Sequence, residues 1–120
     1  MKFELTLPPV LNKAYGITNT RKGRPYTYKK TETKGWQRDA RLEIYQQVGK
    51  VPMLTDDVVV NIELHLKFNR DIDSSHKILL DTLEYAQIIK NDKQIIELNT
   101  KKFYPSKKPR MIVYVDSKAI

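Results

Sequence analysis

The sequence contains no cysteine and only two histidines, His65 and His76. That excludes disulfides, thiolate nucleophiles and thiolate zinc centres, and it leaves too few imidazoles for a histidine metal cage. Any metal bound here must be held by oxygen. No apolar run approaches the roughly 18 residues of a membrane-spanning helix. The opening Met1-Lys2-Phe3-Glu4 reads as a strand, not as a charged signal segment. These absences predict a soluble, unexported, cytoplasmic protein with no membrane partner. Its 120 residues, 40% of them hydrophobic, suffice for one core and not two, so the expectation is a single domain over residues 1–120.

What is abundant is positive charge: 22 Lys+Arg against 14 Asp+Glu, a formal net charge of +8. It is unevenly placed. Residues 1–50 carry 11 basic and 4 acidic side chains, residues 51–100 carry 5 and 9, and residues 101–120 carry 6 and 1. A carboxylate-rich segment between two cationic ones suits an acidic site framed by a polyanion-binding surface, although a merely solvated basic protein shares that balance.

Phe3, Leu5 and Leu7 alternate with polar residues up to Pro8-Pro9, which predicts a first strand. Arg21-Lys22-Gly23-Arg24-Pro25 separates Ile17-Thr18 from Tyr26-Thr27-Tyr28, predicting a mobile basic hairpin or long loop. Trp36, Ala40, Ile44, Tyr45 and Val48 share one helical face, with Thr31 or Thr33 as N-cap and Gly49 past the end. Val58, Val60, Ile62, Leu64, Leu66 and Phe68 form the strongest alternation, that of a long strand. Leu79, Leu80, Leu83 and Ala86 then mark a second helix capped by Ser or Asp and ending near Gln87. A polar turn around Asn91-Asp92 leads to a strand from Ile95 to Phe103, and a last strand covers residues 111–115. The predicted fold class is α+β: one mixed β-sheet with two helices packed on it, the last two strands able to pair as a hairpin.

Asp71 and Asp73 stand between the long strand and the second helix. On extended chain, residues two apart face the same way, roughly 7 Å apart at their bases. Carboxylate oxygens are the ligands Mg²⁺ selects, and Asp92 is a third candidate brought back by the turn after the helix. Lys77, one helical turn beyond Asp73, faces the same way and is placed to orient water or neutralise phosphate charge. A capping role for the Asp-x-Asp pair and an exposed-turn role for Asp92 are the plainer alternatives. His65 is expected on the polar face of its strand, His76 on an exposed helix turn, and Trp36 in the core. Tyr15, Tyr26 and Tyr28, interleaved with Lys13, Arg24, Lys29 and Lys30, suit base stacking and packing beneath the loop equally.

Arg70-Asp71-Ile72-Asp73, then Lys77, Asp81 and Leu83, then Asp92 with Gln94 and Ile95, resemble the core motif of the RusA-type Holliday junction resolvases. Pro8-Pro9-Val10-Leu11-Asn12-Lys13-Ala14-Tyr15 is similar to the family's N-terminal Pro-Pro-x-x-Asn-x-x-Tyr run. The resemblance implies a homodimeric, magnesium-dependent endodeoxyribonuclease of bacterial or phage origin, without a small-molecule cofactor and with Mn²⁺ as a substitute ion. It would cut four-way DNA junctions by paired nicks in recombination and repair, leaving 5′-phosphate and 3′-hydroxyl ends. By position, Asp71, Asp73 and Asp92 take the metal-ligand and catalytic roles and Lys77 that of the essential lysine. Asn12, Lys13, Tyr15, Arg21, Lys22, Arg24, Lys29, Lys30, Lys34 and Arg70 are the expected DNA contacts. Two positions depart from the pattern: Ser74 stands where the family has Asn, and Asn91 where it has the first acid of a pair. The rival class is a non-catalytic basic DNA-binding or phage accessory protein whose aspartates only cap the second helix.

Overall fold

A computed structural model describes residues 1–9, 15–19, 25–29 and 31–118, the second and third of these segments as backbone only. Strand β1 (Lys2–Leu5) is followed by β2 (Tyr15–Asn19) and β3 (Pro25–Lys29), helix α1 (Thr31–Val48), β4 (Val58–His65), helix α2 (His76–Tyr85), a 3₁₀ turn (Asp92–Gln94), β5 (Ile95–Phe103) and β6 (Arg110–Ser117). Four strands form one mixed sheet in the order β1-β6-β4-β5, and β2 pairs antiparallel with β3 as a separate hairpin. The expected α+β architecture, two helices on one mixed sheet, is the one observed.

The expected hairpin of the last two strands is not formed. β4 lies between them, parallel to β5 and antiparallel to β6. The reason is burial. β6 contributes Met111, Ile112, Val113 and Val115 to the interior, whereas most of β5 is exposed, so β6 takes an inner position and β5 the edge. The connection crosses the end of β4 at Leu66, whose N–H donates to Phe103 O at 2.9 Å and whose carbonyl accepts from Ser106 N at 2.7 Å. With Leu66 so engaged, the β4 alternation stops short of its predicted end and Phe68 is 77% exposed.

Phe3 and Leu5, Val58, Val60, Ile62 and Leu64, and Met111, Val113 and Val115 line the covered sheet face, meeting Ala40 and Ile44 of α1 and Leu79 and Leu83 of α2. Burying such a side chain stabilises the fold by about 1.5–3 kcal/mol. The helices also meet through polar groups: Gln37 Nε2 donates to Thr82 Oγ1 at 3.1 Å, and Thr82 Oγ1 to Ile78 O at 2.6 Å. The buried face of α1 therefore includes Thr33 and Gln37, while Tyr45, expected inside, is 59% exposed. Because Thr31 opens the helix and Thr33 is buried within it, neither is its N-cap. Gly49, at φ 72°, ends α1 in the left-handed region that glycine enters without a Cβ clash.

Candidate active site

β4 and β5 run parallel to each other and opposite in direction to β6, which pairs with β4, and this brings one set of strand ends to one side. His65 closes β4 opposite Phe103 and Arg110, while Leu5 of β1 pairs with Met111. The aspartate loop leaves β4 on this side, the β2–β3 hairpin departs from residues 6–9, and α1 begins here. Trp36, half-buried, donates from Nε1 to Thr6 O at 3.0 Å. Arg70 Nη1 donates to Pro8 O at 2.8 Å, linking the aspartate loop to the root of the hairpin. Burial pulls the Arg70 pKa below its ordinary value, yet a guanidinium stays charged.

Asp71 and Asp73 are both exposed. Their backbone carbonyls accept from Ser74 N at 3.1 Å and His76 N at 3.2 Å, forming the turn into α2. Their carboxylates carry no hydrogen bond or ion pair among the described residues. The capping alternative therefore fails: Ser75 occupies the N-cap position of α2, and even its hydroxyl makes no cap bond. Two hard oxygen ligands left unengaged in a solvated loop have the chemistry of ligands to a hard divalent cation. The hydroxyls of Ser74 and Ser75 are buried without partners among the described residues.

Two cross-links hold the loop against β5. Lys102 Nζ donates to Asn69 Oδ1 at 2.8 Å and to Arg70 O at 3.2 Å. His76, expected on an exposed turn, is half-buried, with Nε2 2.7 Å from Thr100 Oγ1. Burial pushes the His76 pKa down, and the nearby negative charge of Asp73 partly opposes this. Lys77 is exposed on the first turn of α2. No periodicity or motif pointed to Thr100 or Lys102, because their role arises only when β5 lies beside β4.

Asp92 does not join the other two aspartates. It opens the 3₁₀ turn that precedes β5, and the register pairs Val58, the first residue of β4, with Ile95. Asp71 and Asp73 follow the far end of β4. Eight residues of strand separate these levels, about 25 Å, and α2 spans about 15 Å of the return. Accordingly, no group of three His, Cys, Asp or Glu side chains able to hold a metal exists among the described residues of one chain. Asp92 is nonetheless held firmly: its N–H donates to Glu84 Oε1 at 2.6 Å, while Asn91 Oδ1 accepts from Lys93 N and Gln94 Oε1 from Asn91 N, both at 2.8 Å. The departure at Asn91 thus supplies a capping box.

Of the expected DNA contacts, Lys34 is exposed on the first turn of α1, and Lys29 ends β3 just before that helix. Tyr15 opens β2. Asn12, Lys13, Arg21, Lys22, Arg24 and Lys30 lie outside the described residues. The backbone pairing of β2 with β3 bears out the hairpin, and Lys107 and Lys108 add exposed cations on the connection to β6. A groove of about 830 Å³ between α1 and residues 49–53 contains none of the aspartates. Among the described residues, no helix is long and apolar enough to cross a membrane.

The family model described as endodeoxyribonuclease RusA matches residues 7–116 of the chain. No curated protein matches the sequence.

Proposed function

The chain belongs to the endodeoxyribonuclease RusA family, and from that membership we propose that it resolves four-way DNA junctions by magnesium-dependent paired nicks, in recombination and repair. The observation that carries the metal assignment is the pair of exposed, unengaged carboxylates of Asp71 and Asp73. Bound there, Mg²⁺ would supply Lewis-acid polarisation of a phosphodiester and charge neutralisation beside it. The protein's own part is positioning. Lys102 and His76 hold the loop so that both carboxylates face solvent, and Lys77 presents a cation where negative charge builds on the phosphate. The hairpin and the lysines of residues 101–110 supply phosphate contacts and affinity. A junction has approximate twofold symmetry, so a C2 dimer with two equivalent sites nicks opposite strands.

The separation of Asp92 from Asp71 and Asp73 gives the dimer a second purpose. A three-carboxylate site takes its Asp92 from a second copy. The test is complementation: Asp73→Asn and Asp92→Asn proteins, each inactive alone, are mixed and incubated with a synthetic four-way junction and Mg²⁺. A mixed dimer has one intact site and nicks one strand. Mixtures as inactive as their components, beside an active native dimer, would return Asp92 to its own chain's site or remove it from the chemistry.

A further inference from the structure

The helical layer carries an apolar groove at its end remote from the aspartate loop. α1 begins beside that loop and α2 follows it, so the second half of α1 and the Tyr85 end of α2, about 15 Å from His76, lie away from Asp71 and Asp73. Residues 49–53 close the third side of a groove of about 830 Å³, the size of a site that takes a small ligand or a few side chains. Ile44 and Ile88 are buried at its base. Its walls include Leu42, Tyr45, Met53 and Tyr85, with exposures running from 41% at Met53 to 59% at Tyr45. Large apolar side chains scattered singly over a surface are ordinary, whereas four grouped in one concavity mark an interaction site.

The charge of the groove has one sign. Arg38, Arg41 and Lys50 line it, and among the described residues no Asp or Glu does. None of these three cations has an ion pair among the described residues. The guanidinium carbon of Arg41 stands over the Tyr85 ring, 5.6 Å from its centroid. Such a contact orients the cation without neutralising it, and leaves its N–H donors for a carboxylate. Tyr, Met and Arg are also the side chains enriched where proteins dock.

We propose that this groove docks an acidic segment of a partner protein. Aliphatic or aromatic side chains of the segment seat among Leu42, Tyr45 and Met53, and its carboxylates meet Arg38, Arg41 and Lys50. Charge selects this occupant. The chain's own basic stretches, residues 13–34 and 101–120, would bring cations to cations. Duplex DNA would satisfy the three cations and leave the apolar walls facing a charged phosphate backbone. A partner held here leaves Asp71, Asp73 and Lys77 clear.

The probe is a fluorescein-labelled synthetic peptide alternating Glu with Leu and Phe, followed by fluorescence anisotropy. Two control peptides replace every Glu by Lys, or every Leu and Phe by Ser. The native chain should bind the acidic apolar peptide about tenfold or more tightly than either control, and added salt should weaken that binding. Arg41→Glu, and the double change Leu42→Ser with Tyr45→Ser, should each weaken it about fivefold or more. Because all three side chains are exposed, the melting midpoint and junction nicking should stay at their native values. Lys118→Glu, an exposed cation outside the groove, should bind the peptide as the native chain does. A native chain that binds the acidic apolar peptide no better than the controls overturns the proposal, as does binding that Arg41→Glu and Lys118→Glu weaken equally. A loss of junction affinity in Arg41→Glu, without any peptide preference in the native chain, would make the groove a DNA contact and overturn it as well.

Discussion

Nε2 of His76 lies 2.7 Å from Oγ1 of Thr100, joining the first turn of α2 to the middle of β5 three residues beyond Asp73. This bond, with the Lys102 contacts to Asn69 and Arg70, makes the aspartate loop part of the sheet instead of a free connection. Thr100→Val keeps the shape and removes the hydroxyl that His76 bonds. It should cost about 1 kcal/mol, a fall of roughly 3–5 °C in the melting midpoint, and should raise the Mg²⁺ concentration needed for half-maximal nicking. An unchanged magnesium midpoint in a destabilised protein would limit the bond to stability.

For Asp71 and Asp73, conversion of either to Asn should abolish nicking while leaving junction affinity equal or higher. The change removes a ligand and, with it, repulsion of phosphate. Gel-shift titrations beside nicking assays measure both, and robust nicking by either variant would take that residue out of the metal site.

Lys77 is tested by the saturated single-turnover rate. Lys77→Ala should lower that rate by about two to four powers of ten, as for loss of one transition-state donor or acid-base group, with little change in binding. A loss confined to affinity would make Lys77 a phosphate contact only.

The basic segment at residues 13–34 is tested by salt. Lys29→Ala with Lys30→Ala should weaken junction binding and flatten the slope of log affinity against log salt by about two, leaving the rate on bound junction nearly unchanged. An unchanged slope, or a monomeric double variant in sedimentation, would make the segment a dimer arm.

Glu63 provides a pH prediction away from the site. Hydrogen bonds from His65 at 3.2 Å and Tyr114 at 3.0 Å hold its carboxyl below the ordinary 4.5, against the opposing effect of burial. A folded value below the unfolded one adds stability above the unfolded pKa and loses it as pH falls through the folded value. Glu63→Gln should therefore melt lower than the native protein at pH 7, and the difference should close as pH drops well below 4.5. A gap independent of pH would assign the effect to shape and not to charge.

Chain order and local pattern were enough for most of the elements and for the site motif. The β4 alternation, the helical spacing of Leu79 and Leu83, the Gly and Pro punctuation and the Arg70-Asp71-Ile72-Asp73 run are local signals, because side-chain periodicity and turn chemistry act within a few residues. Even Ile95–Phe103 agrees with the observed strand to the residue. Only the tertiary structure decided which strands are neighbours. A β5–β6 hairpin was the shortest solution along the chain, but the buried side chains of β6 required cover on both edges and displaced β5 to the outside. That placement governs the rest: it brings Thr100 and Lys102 to the aspartate loop and carries Asp92 to the opposite end of the parallel pair. Residue spacing along a chain records how many residues separate two aspartates. Their distance in space depends on the direction in which α2 and β5 run, and burial of the sheet sets that direction.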